Sequence, residues 1–233
     1  LLGRTTTVDP HSSAYFPTSH YVWCAGNPIR NIDPDGQKII FINGYIGFGS
    51  PPEGEPYWNG IKSNFVKGAK SFFKDQEVVF TDKKHDLLSS AKDRERSGYE
   101  YAKKNYKKWI KNMLPDEAFN LVSHSMGGAF SKGIEIFIKE KGRKVKYNVM
   151  INTFQIKDID NPKSGETIYI DYQNTNDPVL KVDIVGRGAL ENADYKIREK
   201  SEDVGLMGIH RYPINWGYKF WQTISNAISD KSD

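Results

Sequence analysis

The sequence predicts an α/β fold, a mostly parallel sheet with helices on both faces, preceded by a short irregular N-terminal segment. Three observations carry this. Beyond Gly36, short apolar runs of β type alternate with longer stretches at helical spacing, the pattern of parallel strands joined by crossover helices. In FNLVSHSMGGAF, residues 119–130, a Gly-rich helix start follows directly on a short apolar strand. The length of 233 residues suits one globular domain with a short appendage.

The elements follow in order. Lys38 to Asn43 (KIIFIN) reads as a buried strand, and Trp58, Ile61, Phe65, Ala69 and Phe72 then recur at helical spacing. Glu77 to Thr81 is a second strand. Tyr99, Ala102, Tyr106, Trp109, Ile110 and Met113 form the apolar stripe of a long helix. Its other side carries Lys103, Lys104, Lys107, Lys108 and Lys111, expected as a solvated face with docking on anionic lipid as the lesser reading. Ala118 to Ser123 is the next strand, followed by a helix from Met126 to about Glu140. Strands at Tyr147–Thr153 and Thr167–Tyr172 and a final helix from about Ile214 to Ile228 complete the series.

Composition narrows the function classes. The chain is 38% hydrophobic and 27% charged, and no apolar run approaches the roughly 20 residues of a membrane-spanning helix. The net charge of +4 is spread along the chain, which argues against nucleic acid as a partner. The single cysteine, Cys24, excludes an internal disulfide and offers no metal-ligand spacing, so it is expected as a packed thiol. The chain starts at Leu1 with no signal-peptide pattern and is expected to be part of something longer.

Ser125 stands between the strand ending near Ser123 and the Gly-rich helix start. A tight turn there needs very small neighbours, which Ser123 and Gly127 supply, and it lifts the hydroxyl above the sheet edge. The same turn aims the Met126 N–H at the place where an oxyanion would form. A serine hydroxyl needs a base, and the base an orienting carboxylate, in the chain order Ser, Asp, His. Asp177, just past the end of the Thr167–Tyr172 strand, is the expected acid; Asp183 is its rival, and Asp171, inside the strand, reads as a surface or cap residue. His210, in the stretch GLMGIHRYP expected as a loop before the last helix, is the expected base. His85 precedes the turn, His124 adjoins the serine and points away from it, and His11 and His20 lie in the N-terminal segment. A second oxyanion donor is expected from the loop after the first strand, at Gly44 or Tyr45. Neither cofactor nor metal is called for.

Two resemblances add to this. The stretch 38–228 is similar to the α/β-hydrolase lipases, and within them to the class 3 group: SHSMGGA resembles their GHSxGGA, INTF their strand ending in TF, and NDPV their acid loop. It departs at Ser123, where glycine is usual, at Gln155, where glycine is usual after the phenylalanine, and in its NGY loop. GRTTTVDP followed by YVWCAGNPIRNIDPDG resembles the end of the core of Rhs-repeat proteins, a junction that precedes a variable toxin domain, so a boundary is expected near Gly36. Together they imply an antibacterial lipase-type effector acting on membrane phospholipid at the membrane or periplasm of a target cell. They further imply a cognate immunity protein and a secretion-apparatus spike or adaptor, often type VI, reached through the parent protein. A serine esterase, thioesterase or amidase with a soluble substrate, and a binding module that keeps the fold with a decayed site, are the alternatives.

Overall fold

The computed structural model describes residues 37–47, 50–161, 165–182, 188–201 and 205–231. The junction at residues 1–36, with Cys24, His11 and His20, lies outside the described residues, as does Asp183.

Six strands form one sheet, all parallel, in the order β2-β1-β3-β4-β5-β6. They are β1 Lys38–Ile42, β2 Glu77–Phe80, β3 Phe119–His124, β4 Val145–Ile151, β5 Ile168–Asn174 and β6 Tyr195–Glu199. The helices are α1 Asn64–Phe73, α2 Ala91–Trp109, α3 Gly127–Glu140, α4 Pro178–Val182, α5 Leu206–Trp216 and α6 Tyr218–Ser229, with short 3-10 turns at Glu55–Trp58 and Ile156–Asp158. Central strands buried on both faces read as continuous apolar runs, which is why KIIFI is buried at every position. Helices cover both faces. Phe65, Val66 and Ala69 of α1 and Phe220, Trp221 and Ile224 of α6 pack with Ile39, Phe41 and Val122 on one side. Ala102 and Trp109 of α2 and Phe130, Ile134 and Ile138 of α3 pack with Ile40, Ile42 and Leu121 on the other.

Three elements depart from the sequence expectation. The helix expected from Trp58 begins at Asn64, where Ser63 caps it by accepting from the Val66 N–H; Trp58 belongs to the 3-10 turn before it. The long helix starts earlier than its apolar stripe, because Ser90 and Asp93 form a reciprocal capping box at its first turn. The last helix is two helices, α5 and α6, broken at Gly217 with φ 66°. His210 therefore lies on a helix and not in a loop. Asp171 is likewise no surface residue: it is fully buried on β5, paired with Arg198 at 2.6 Å and accepting the Leu190 N–H at 3.1 Å.

The topology sets where a ligand can sit. β1 leads outward through α1 to β2 on one side, and β3 leads through α3 to β4 on the other, so their connections diverge on opposite faces. A crevice opens at such a switch point, beyond the carboxyl ends of the two strands. Asn43, Gly44 and Ser125 are the residues at that point.

Candidate active site

Ser125 follows β3 with φ 55°, a left-handed conformation that costs a serine energy and persists only where its surroundings hold it. They do: its N–H donates to the Ile151 carbonyl at 2.9 Å, and its carbonyl accepts from Gly128 at 3.1 Å and Phe154 at 3.2 Å. The neighbours must be small. A Cβ on Gly127 would lie 2.6 Å from the Asn43 carbonyl oxygen, and one on Gly44 would lie 2.7 Å from the Ser125 Cβ. Ser123 fits because its hydroxyl turns to β4 and donates to the Val149 carbonyl at 3.2 Å. Gln155 sits in the left-handed region at φ 54°, and its side-chain oxygen accepts from Arg94 Nη2 at 2.5 Å.

Asp177 and His210 are brought together. The His210 Nδ1–H donates to Asp177 Oδ2 at 2.6 Å, and both side chains are buried. The other carboxylate oxygen accepts the Val179 N–H at 2.9 Å, and the Asp177 N–H donates to the Asn174 carbonyl at 3.0 Å, so the carboxylate is held in one orientation. With Nδ1–H committed to the carboxylate, Nε2 is the nitrogen left with a lone pair. The His210 ring lies 4.5 Å from the ring of His124, the residue before Ser125, which brings the imidazole to the turn.

The position of His210 is set through its backbone, by side chains from the ends of three strands. Pro213 has no N–H with which to bond the Ile209 carbonyl inside α5, and that carbonyl accepts from Asn174 Nδ2 at 3.1 Å. The His210 carbonyl accepts from Asn152 Nδ2 at 2.9 Å and from His124 Nε2 at 3.0 Å. Asn152 Oδ1 in turn accepts the Asn174 N–H at 2.7 Å, so one carboxamide links the strand bearing the acid to the helix bearing the base. Asn152 tolerates its φ of 44° as few other residues would.

His124 is fully buried, and burial first, then the charges of His210 and Arg211, hold its pKa well below the usual histidine value. It is thus a neutral bridge: Nε2–H donates to the His210 carbonyl and Nδ1 accepts from the Tyr57 hydroxyl at 2.6 Å. Burial pushes the Tyr57 phenol up to about 12, so it stays a donor; Arg211, stacked on its ring at 4.5 Å, and the Gly44 N–H oppose that rise. The Tyr45 side chain is partly exposed at the same edge. Met126, whose residue caps α3, is buried beside Ser125.

His85 serves the loop rather than the acid–base pair. Its Nε2 bonds the Asn43 carbonyl at 2.9 Å, while Asn43 Nδ2 donates to the Lys83 carbonyl at 2.9 Å, pinning the segment that leads into Gly44 and Tyr45. Sequence reasoning missed Asn152, Asn174 and Tyr57 because their partners lie far along the chain; the asparagine at a strand end in INTF was the one local signal. Among the described residues no group of three or more His, Cys, Asp or Glu side chains could hold a metal ion, and no helix is long and apolar enough to cross a membrane.

A six-stranded parallel sheet covered by helices on both faces, with a left-handed serine at its switch point, has an α/β-hydrolase-like architecture. No family model matches the chain. No curated protein matches it either. Among solved structures it is similar to an esterase/lipase from an uncultured bacterium, at 12% identity and TM-score 0.40 over 80% of this chain and 78% of that one. It is also similar to EstE5 soaked with p-nitrophenyl butyrate, at 12% identity and TM-score 0.38 over 80% and 78% of the two chains.

Proposed function

We propose that the chain is a serine hydrolase of carboxylic esters whose substrate is membrane phospholipid. The observation that carries the reading is the buried His210–Asp177 pair at 2.6 Å, its imidazole 4.5 Å from the ring of His124, which precedes a serine held at φ 55°. In this reading the Ser125 hydroxyl attacks the ester carbonyl while His210 Nε2 takes its proton, and Asp177 stays ionised and holds the imidazolium. In this reading the tetrahedral oxyanion meets the Met126 N–H and the backbone N–H groups of Gly44 and Tyr45. The proton then passes from His210 to the departing alcohol, leaving an acyl-enzyme that water, deprotonated by His210, hydrolyses.

The phospholipid substrate, and a role as the toxin end of an Rhs protein with an immunity protein and a secretion-apparatus partner, rest on the resemblances in the sequence. The test is the full chain acting on phosphatidylglycerol-containing vesicles, with released fatty acid and lysolipid read by mass spectrometry. Release that Ser125→Ala abolishes is the expected result. Hydrolysis of a short soluble ester without phospholipid hydrolysis would overturn the substrate, and hydrolysis of neither would overturn the enzyme reading. For the toxin role, expression in the periplasm of a susceptible bacterium damages the envelope and Ser125→Ala at equal protein level does not; equal damage by both would overturn it.

A further inference from the structure

Among the described residues five large apolar side chains stand in solvent, Tyr45, Ile61, Leu87, Leu88 and Tyr218, and all lie on the sheet edge that carries Ser125. Tyr45 and Ile61 are in the connection from the carboxyl end of β1 to the start of α1, and Leu87 and Leu88 in that from β2 to α2. Tyr218 opens α6, next to Gly217, which abuts Asn64 at the start of α1. The lysine row Lys103 to Lys111 falls elsewhere. α2 runs away from this edge, and at ~1.5 Å per residue Lys103 is already roughly 18 Å below its first residue. Lysines placed there would hold a membrane away from the serine.

The leucine pair is displayed by a built turn. Ser89 N–H and Oγ both bond the Asp86 carbonyl, at 3.1 and 2.6 Å, and the Leu88 N–H bonds Asp86 Oδ1 at 3.0 Å. Leu87 and Leu88 occupy the two central positions, where Pro, Gly, Asn, Asp and Ser are usual, and Leu88 is 91% exposed. The turn is pinned on both sides, by His85 and Asn43 before it and by Arg94 bonding the Ser89 carbonyl after it. Lys83, Lys84 and Lys92 are exposed beside it. Of the acids nearby, Asp82 bonds the Tyr101 hydroxyl, Asp86 closes the turn, Asp93 caps α2 and pairs with Arg96, and Glu53 pairs with Lys84 at 3.7 Å, which leaves Lys83 and Lys92 without an ion pair among the described residues. Two rigidly held leucines with a cationic collar have the chemistry of an element that enters the boundary between headgroups and acyl chains.

We infer that the Leu87–Leu88 turn docks the chain on an anionic lipid bilayer, with both leucines inserted and Lys83 and Lys92 on lipid phosphates, so that the Ser125 edge faces the lipid. The inference rests on the phospholipid reading for its use, and its test does not need catalysis. The full chain carrying Ser125→Ala is sedimented with vesicles of phosphatidylcholine alone and of phosphatidylcholine with phosphatidylglycerol. Adding Leu87→Asp with Leu88→Asp is expected to lower partition by at least about tenfold. Lys83→Glu with Lys92→Glu is expected to weaken binding on the anionic vesicles alone. Circular dichroism melting establishes that each variant is folded, and Leu88→Gln serves if the double variant is not. Unchanged partition of the leucine variants would overturn the inference. So would a dimer in solution that these variants split, since the leucines would then cover a second copy of the chain. Vesicle binding lost on leucine substitution, in a chain whose active form leaves phospholipid intact, would sink the substrate reading and leave the docking surface standing.

Discussion

Acid weakens this fold through the histidine that pins the loop beside the serine. His85 is buried against Asn43 and Phe130, and burial first, then Arg94 and Lys83, lowers its pKa from 6.5 to about 4, against the pull of its bond to the Asn43 carbonyl. A depressed histidine favours the neutral folded form, so its contribution is whole above the unfolded value and lost as pH falls toward the folded one. With those two values, protonation of the unfolded chain at about pH 5 removes about 2 kcal/mol of stability relative to about pH 8. His124 acts in the same direction. The buried carboxyl of Asp171, raised chiefly by burial, acts in the opposite one, so the comparison must be between proteins. Urea denaturation of the parent and of His85→Gln at about pH 8 and about pH 5 isolates the effect. The variant is less stable at the higher pH, and its deficit shrinks by about 2 kcal/mol at the lower. Parallel curves would refute the assignment of a neutral, loop-pinning histidine.

Three further outcomes follow from the geometry. His210→Ala lowers ester turnover nearly as far as Ser125→Ala, on the order of a millionfold, and Asp177→Asn leaves more activity because the carboxylate orients rather than attacks; steady-state kinetics with a soluble ester reads all three. Asn152→Ala orphans the buried Asn174 N–H and puts alanine at φ 44°, costing about 2 to 4 kcal/mol in denaturant unfolding. Because it frees the His210 carbonyl from one donor, it also lowers kcat by about a hundredfold with little change in KM. Gly98→Ala would put a Cβ 2.0 Å from the Phe130 carbonyl oxygen on α3, so the two helices must part; a loss of about 1 to 3 kcal/mol or more is read in thermal unfolding.

The legible parts of the molecule were those written in local spacing. KIIFI is a short apolar run rich in β-branched residues, which suits a strand buried on both faces, and the small residues around Ser125 announce a turn whose neighbours leave no room for an added Cβ. Asp177 could be picked out because it lies a few residues past a strand end. His210 was read as a loop residue because Gly208 and Pro213 are breakers, yet Asn174 takes the carbonyl that Pro213 leaves without an intrahelical donor. β6 was missed: Tyr195–Glu199 is an edge strand whose apolar residues alternate with charged ones and form no continuous run. The roles of Asp171 and of the asparagine bridges were hidden, since their partners, Arg198 and His210, are 27 and 58 residues away and the strand-end asparagine of INTF was the one local hint.

The proposed chemistry requires Ser125 to be an activated nucleophile. A fluorophosphonate reacts with such a serine and not with an ordinary hydroxyl, forming a phosphonyl–oxygen bond with loss of fluoride. Incubation of the full chain with this reagent, followed by peptide mass spectrometry, is predicted to give one adduct on the peptide containing Ser125, lost in Ser125→Ala and strongly slowed in His210→Ala. A folded chain that stays unlabelled, or one labelled at another serine, would contradict it.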